Sequence, residues 1–442
     1  MKRRILILLI VGLLVSNLTI GWHIQSLSAV EDDGKDSPYR NIEILANVME
    51  IIRKDYVDGE KLTYQDLSYG ALKGMLNALD PHSQFMEPAG FDEMKQETGG
   101  QFSGIGVVIG VKDGVITVIS PMEDSPGFKA GLISGDKIIR IEGKATDKMM
   151  LQDAIKLLRG AVGTKVTITI MRPKNREVKE MTLTRANIKL ESVKDAKLLT
   201  TDKIGYIRVS QFNEPTAEEL EKALVKLEKE GMTALVLDLR NNPGGLLESA
   251  VEVCGKFLPK GDLVVFTEGR NPGVKNMYRV RDNRLHPKYP VAVLINEGSA
   301  SASEIVAGAL QDTKRAIIVG ETSFGKGSVQ SVIPLRDGSA IRLTTAKYYT
   351  PSRKVIHEHG ITPDIIVPMN DEDWSRMMVQ RGQASLETEE EKNESAVEKD
   401  KDKDAEKVKS AAAKDVQLDR AVDLLKGINA YIQRKGEHAA NK

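Results

Sequence analysis

Apolar positions in the second half of this chain fall into two patterns. Short continuous runs lie within TALVLDLR (233–240), VAVLI (291–295) and AIIV (316–319), as in strands buried on both faces of a parallel sheet. Around them, apolar residues recur at three- and four-residue spacing. TAEELEKALVKLEKEG (216–231) predicts an amphipathic helix closed by Gly231, and the helix beginning after Ser301 carries Ile305, Val306, Ala309 and Leu310 on one stripe. With the strand IGYIRVSQF (204–212), this alternation predicts an α/β core over residues 186–370. Its last part, SVIPLRDGSAIRLTTAKYYTPS, reads as a hairpin turning at Asp337–Gly338.

The first half is patterned differently. Residues 31–98 begin with the polar EDDGKDS and are then helical, with Ile42, Leu45, Val48, Met49 and Ile52 in helical register. A second helical run, LSYGALKGMLNALD (67–80), ends at Pro81. Residues 99–185 supply short strands broken by Gly and Asp turns, and a helix MMLQDAIKLLRG (149–160) with Leu151, Ile155 and Leu158 on its inner stripe. Past the core, residues 371–415 carry Glu, Lys, Asp, Ser and Ala with few apolar side chains, the composition of a solvated linker. Residues 416–442 regain helical spacing at Leu418, Val422, Leu425 and Ile428. That stripe is too thin to fold alone and predicts docking on the core or on another subunit.

Residues 1–30 carry an address. Lys2, Arg3 and Arg4 precede the apolar run Ile5–Val15, the arrangement of a bacterial export signal or an uncleaved membrane anchor. A full span needs about 20 apolar residues, and Ser16, Asn17 and Thr19 make this one marginal. Either form predicts an extracytoplasmic protein, anchored to the cytoplasmic membrane or secreted.

Composition narrows the classes only slightly. Lysines plus arginines equal acids at 63 each, so no basic field points to nucleic acid. The single cysteine, Cys254, excludes an intrachain disulfide and reads as a core residue in the helical run LLESAVEVCGKFL. His357 and His359 lack a third ligand in a plausible pattern, so no metal or cofactor is expected.

Two reactive candidates stand out, Ser301 where a helix begins and Lys326 in the loop FGKGS. SASE (301–304) is a capping box, which accounts for the serine structurally. The same position points a hydroxyl toward unpaired amides and the positive helix end, where an oxyanion is stabilised. A serine hydroxyl needs a base, and a buried lysine becomes one when burial lowers its pKa. A strand starting at Lys326 places Ser328 and Gln330 on the lysine's face, from which Gln330 orients the amine without adding charge.

NEGSASASEI (296–305) and GETSFGKGSVQ (320–330) resemble the nucleophile and lysine blocks of the C-terminal processing peptidases, or tail-specific proteases, and the likeness runs from Tyr39 to Pro368. The resemblance implies a multidomain α/β chain with a ClpP/crotonase-like serine protease core, a PDZ domain, a helical N-terminal segment and a C-terminal helix. It implies Ser301 as nucleophile, Lys326 as general base and Gln330 as its support. Gly245, of the pair Gly244–Gly245, and the Ala302 amide would form the oxyanion hole, although a plain strand-to-helix turn also wants glycine there. His82 reads as structural, in a segment that precedes the PDZ domain and often joins subunits. A homodimer through the terminal helices follows from the same likeness.

Within 99–185, SGIGV matches a PDZ carboxylate-binding loop. Gly104, Ile105, Gly106 and Val107 would hold a peptide C-terminus while the peptide adds as an extra strand. Arg159, closing the groove helix, either carries the binding signal to the protease or caps the helix through its charge. The implied partners are unfolded or tail-exposed proteins and peptides.

Other classes fit less well. GETSFGKG (320–327) approaches a phosphate-binding loop, with VLD (236–238) as its acidic strand. Gly327 stands where that loop needs a hydroxyl, and a strand follows where it needs a helix. A non-catalytic PDZ scaffold is opposed by intact Ser301, Lys326 and Gln330, and no histidine block supports a Ser–His–Asp arrangement.

Overall fold

The computed structural model describes residues 37–370 except 113, 123–124, 134, 174–175, 200–201, 272–274, 282–285 and 287, together with 373 and 415–440. The predicted export segment (1–30), and the predicted linker (371–415) apart from its residues 373 and 415, lie outside the described residues.

The chain divides into two compact units, Met1–Leu79 and Asp80–Lys442. The first contains the helices Pro38–Asp55 and Tyr64–Asn77. Thr63 caps the second: its hydroxyl accepts the Asp66 amide, and the Asp66 carboxylate accepts the Thr63 amide. Ile42, Leu45 and Val48 of the first helix face solvent.

In the second unit, the PDZ region is a six-stranded antiparallel sheet ordered Val107–Lys112, Val115–Pro121, Lys137–Ile141, Lys165–Arg172 and Glu177–Thr184, with Lys144–Ala145 paired to the third of these. Val118, Ile138, Ile141, Val166, Ile168 and Leu158 close its core. Strand Val107–Lys112 is an edge, so one side of its backbone is unpaired in the sheet. The helix Leu151–Leu158 is shorter than the expected 149–160 at both ends. Strand Gln101–Gly104 pairs with Ala186–Lys189 in a separate small sheet.

The α/β core is a second six-stranded sheet in the order Val193–Leu198, Ile204–Val209, Ala234–Asp238, Val291–Ile295, Ile317–Gly320 and Ile365–Ile366. Only the first pairing is antiparallel. Strand residues alternate between two covered faces. Leu235, Leu237 and Val293 pack with the helices Thr216–Lys229, Leu247–Cys254 and Ala302–Asp312, through side chains such as Leu220, Val251 and Ile305. Ala234, Val236 and Leu294 pack with Ala421, Val422 and Leu425 of the final helix, Val416–Ala440. That helix therefore docks on the core. Its start is fastened by Arg240, a fully buried guanidinium paired with Asp238 at 2.7 Å and Asp415 at 2.8 Å. Cys254 is buried, and burial pushes its thiol pKa up, which suits an inert core residue.

A five-stranded sheet flanks this core. Its hairpin, Ser328–Pro334 with Ala340–Tyr349, turns at the expected Asp337–Gly338, where Gly338 has φ +88°. The other side of the long strand pairs with Gln84–Met86 and with Leu263–Gly269.

Candidate active site

Ser301 stands where strand Val291–Ile295 has ended and the helix Ala302–Asp312 begins, with φ 55° and ψ −112°. Such a backbone costs about 1–3 kcal/mol for a residue with a side chain, so the surroundings must impose it. They do so through two asparagine-rich loops. Asn296 Oδ1 accepts the Asn241 amide at 2.8 Å, its Nδ2 donates to Asn241 Oδ1 at 2.8 Å, and the Asn242 carbonyl receives the Ala300 amide at 3.0 Å and the Ser303 hydroxyl at 2.8 Å. The serine is 9% exposed.

The Glu304 half of the capping box is present: its Oε2 accepts the Ser301 amide at 2.8 Å. The same oxygen accepts the Lys326 amide at 2.9 Å, while Oε1 accepts the Gly325 amide at 2.7 Å and the Ser323 hydroxyl at 2.6 Å. One fully buried carboxylate thus holds Ser301 and Lys326 side by side. Burial raises the Glu304 pKa, and these hydrogen bonds oppose the rise. The capping-box spacing therefore recovered one of four bonds and missed the strut to the lysine loop.

Lys326 is half-buried. Burial lowers its pKa, the Arg342 charge lowers it further, and Glu304 works in the opposite direction. Its loop has no room for side chains at the flanking glycines. A Cβ on Gly327 would lie 2.2 Å from the His357 nitrogen, and Gly325 has φ +89° against the 358–360 backbone. Among the described residues, the Lys326 amine makes no hydrogen bond with Ser301 or Gln330.

The expected single strand face from Lys326 to Gln330 does not form. The strand begins at Ser328, and a register shift between Val329 and Gln330 interrupts the alternation. Gln330 Nε2 donates to the Thr344 hydroxyl at 2.8 Å and lies 3.3 Å from Ser328 Oγ.

Gly244 and Gly245 approach Ser301 as the strand-to-helix turn before Leu247 requires. A Cβ on Gly244 would sit 2.8 Å from Ser301 Cβ and 2.9 Å from the Ala302 nitrogen, and one on Gly245 would collide with the Phe212 carbonyl at 1.9 Å. The Gly244 amide is committed to Asn242 Oδ1 at 2.9 Å. The amides of Gly245 and Ala302 have no partner among the described residues.

Residues 203–367 match the family model of peptidase family S41, and residues 117–172 match a PDZ domain. The carboxy-terminal-processing protease of Bartonella bacilliformis is 41% identical over 346 residues, spanning 77% of this chain and 78% of that protein. The chain belongs to peptidase family S41. It is a serine peptidase of the C-terminal processing group, with the S41 fold joined to a PDZ domain. Carboxy-terminal processing protease CtpB of Bacillus subtilis is 38% identical over 346 residues, covering 78% of this chain and 71% of that protein. The carboxyl-terminal-processing protease of a Picosynechococcus strain is 39% identical over 323 residues, covering 72% and 77% respectively.

The PDZ groove of this peptidase is a cavity of about 220 Å³ lined by Phe102, Ile105, Val107, Ile155, Leu158 and Arg159, with Gly104 and Gly106 at its loop. The Ile105 and Gly106 amides have no partner among the described residues. Arg159 lies just past the helix in extended conformation. Its guanidinium donates to Glu97 at 2.9 Å and lies 5.4 Å from the Phe102 ring centre. The side chain thus links the groove to the helix Pro88–Thr98 and does not fold back on its own helix end.

Some neighbours of the site carried no readable signal. Tyr348, which alternates into the core from the long hairpin strand, neighbours the Ser301 side chain. Its phenol is pushed up to about 12 by burial, with Ser301 working in the opposite direction. His82 has its pKa lowered by burial and then by the Lys326 charge. His357 covers Gly327, and its buried Nδ1 has no partner among the described residues; His359 is exposed, with Nδ1 on the His357 carbonyl.

Proposed function

We propose that this S41 peptidase cleaves exposed protein tails outside the cytoplasm by a Ser–Lys mechanism. Neutral Lys326 takes the Ser301 hydroxyl proton as Oγ attacks the scissile carbonyl, and the amides of Gly245 and Ala302 hold the resulting oxyanion. The lysine ammonium returns the proton to the departing amine, leaving an acyl ester on Ser301. Water, deprotonated by Lys326, then hydrolyses that ester and restores the enzyme. Gln330 keeps the amine oriented throughout. The observation that carries this reading is the shared Glu304 oxygen, which sets the two backbones together at 2.8 and 2.9 Å.

The PDZ loop from Gly104 to Val107 receives the substrate's C-terminal carboxylate, and the substrate extends along the open strand Val107–Lys112. Arg159 passes occupancy toward the protease through Glu97. Residues 1–30 direct the chain across or into the membrane, and the exposed apolar stripe at Ile42, Leu45 and Val48 supports pairing of two copies.

Ser301→Ala and Lys326→Ala, purified and shown to be folded, should each lose cleavage of an unfolded protein by about a thousandfold or more, because the two act as one unit. Sustained activity in either would refute the assignment. For the PDZ role, peptides with one cleavage sequence and either a free apolar carboxylate or an amide at the end are compared. Faster cleavage of the acid, lost on deleting residues 99–185, supports gating; equal rates oppose it.

A further inference from the structure

The turn Asp80–Ser83 is joined to Gln330 by an unbroken line of polar groups, although the residues are far apart in sequence. Asp80 Oδ1 accepts the His82 and Ser83 amides, each at 2.8 Å, and Oδ2 accepts the Ser83 hydroxyl at 2.8 Å. A carboxylate can only accept, so the Ser83 hydrogen is committed to it. Ser83 Oγ also accepts the Thr344 amide at 3.1 Å and lies 3.4 Å from the Thr344 hydroxyl oxygen. With its own hydrogen turned toward the Asp80 carboxylate, Thr344 Oγ1 accepts from Gln330 Nε2 at 2.8 Å.

Only the NH2 end of the carboxamide satisfies Thr344 in this chain, so the carbonyl end must face away. Gln330 Oε1 is buried and has no partner among the described residues. Such an acceptor costs about 1–3 kcal/mol unless a donor arrives. Asp80 stays ionised across the working range: burial would raise its pKa, but the bonds from Ser83, His82 and Thr344 outweigh this and bring it to about 2. The polarity of the line is therefore constant, and the Lys326 charge acts on His82 in its starting turn.

We infer that Asp80, Ser83 and Thr344 are positioning residues that fix which end of the Gln330 carboxamide is offered to Lys326. The carbonyl oxygen accepts a hydrogen from the lysine amine and leaves the amine lone pair free for the Ser301 proton. Reversed, the amide NH2 would donate to that lone pair and compete with the serine. This rests on the Ser–Lys reading above.

The test uses the full chain and an internally quenched peptide ending in a free Ala-Ala carboxylate, with kcat measured against pH. Thr344→Val and Ser83→Ala should each lower kcat about tenfold, the worth of one hydrogen bond to a buried group, while KM stays within about twofold. Thr344→Ser, which keeps the hydroxyl, should recover most of the rate. The midpoint at which kcat rises with pH should move down by about half a unit in Thr344→Val, because a carbonyl acceptor no longer favours the lysine cation. In a Gln330→Ala background the same substitutions should change kcat less than about twofold. An unmoved midpoint, or an equal tenfold loss with and without Gln330, would show a mere brace and overturn the inference. Activity in Lys326→Ala would instead remove the Ser–Lys reading itself, so the two failures are distinguishable. Should Thr344→Val not fold, Ser83→Ala carries the same pH comparison and cycle.

Discussion

The two sides of the candidate active site are built by different means. The serine side is a product of the parallel sheet. Strand Val291–Ile295 is wholly buried, two asparagine-rich loops lock together above it, and Ser301 is held in a backbone conformation it would not adopt alone. The lysine side is a glycine-flanked loop leading into a partly exposed hairpin, with Phe324 64% exposed two residues before Lys326 and Ile333 43% exposed beyond it. One side is rigid through topology, the other through a few polar ties. The vulnerable element is therefore the tie between them, Glu304.

Cutting that tie should have the largest effect. Glu304→Ala leaves four former donors facing a cavity and should cost about 3 kcal/mol or more, with proteolysis reduced over a hundredfold. Chemical denaturation and peptide turnover measure the two losses separately. A stable, fully active Glu304→Ala would mean the halves are held by something else. Damage confined to the rigid side comes next. Gly245→Ala drives a methyl into the Phe212 carbonyl and should lower kcat about a hundredfold, with a smaller change in KM than in kcat.

Titration sharpens the contrast on the lysine side. Because burial and Arg342 lower the Lys326 pKa, kcat should rise with pH at a midpoint below that of an ordinary lysine, and Arg342→Gln should move that midpoint upward. A midpoint unchanged by Arg342→Gln would assign the limb to another group. The smallest effect concerns stability. The folded Asp80 pKa of about 2 lies below the ordinary value, so its contribution is present above about pH 4 and disappears as pH falls toward 2. Asp80→Asn should therefore differ from the parent by about 1 kcal/mol at neutral pH, and the gap should close in acid. A gap that widens in acid would contradict the sign.

The serine side was legible because its information is local. Apolar runs announced the buried strands, and the capping residue and helix stripe sat within a few residues of one another, although the Gly244–Gly245 pair that meets them is distant in sequence. The lysine loop was legible as a motif, but its support was not. Ser83 and Thr344 meet across 261 positions through antiparallel pairing that no periodicity records. The bulge between Val329 and Gln330 likewise breaks a strand period that the residues alone suggest is continuous. The final helix showed its apolar stripe plainly, whereas the Arg240–Asp415 pair that fastens its start is again a distant pairing.

The central claim, that Lys326 activates Ser301, is tested most directly by labelling with a fluorophosphonate and mapping the modified peptide by mass spectrometry across pH. A single modification is expected at Ser301, at a rate that rises with pH through the lowered lysine pKa and falls about a hundredfold or more in folded Lys326→Ala. Modification at another residue, or Ser301 labelling at the same rate without the lysine, would contradict it.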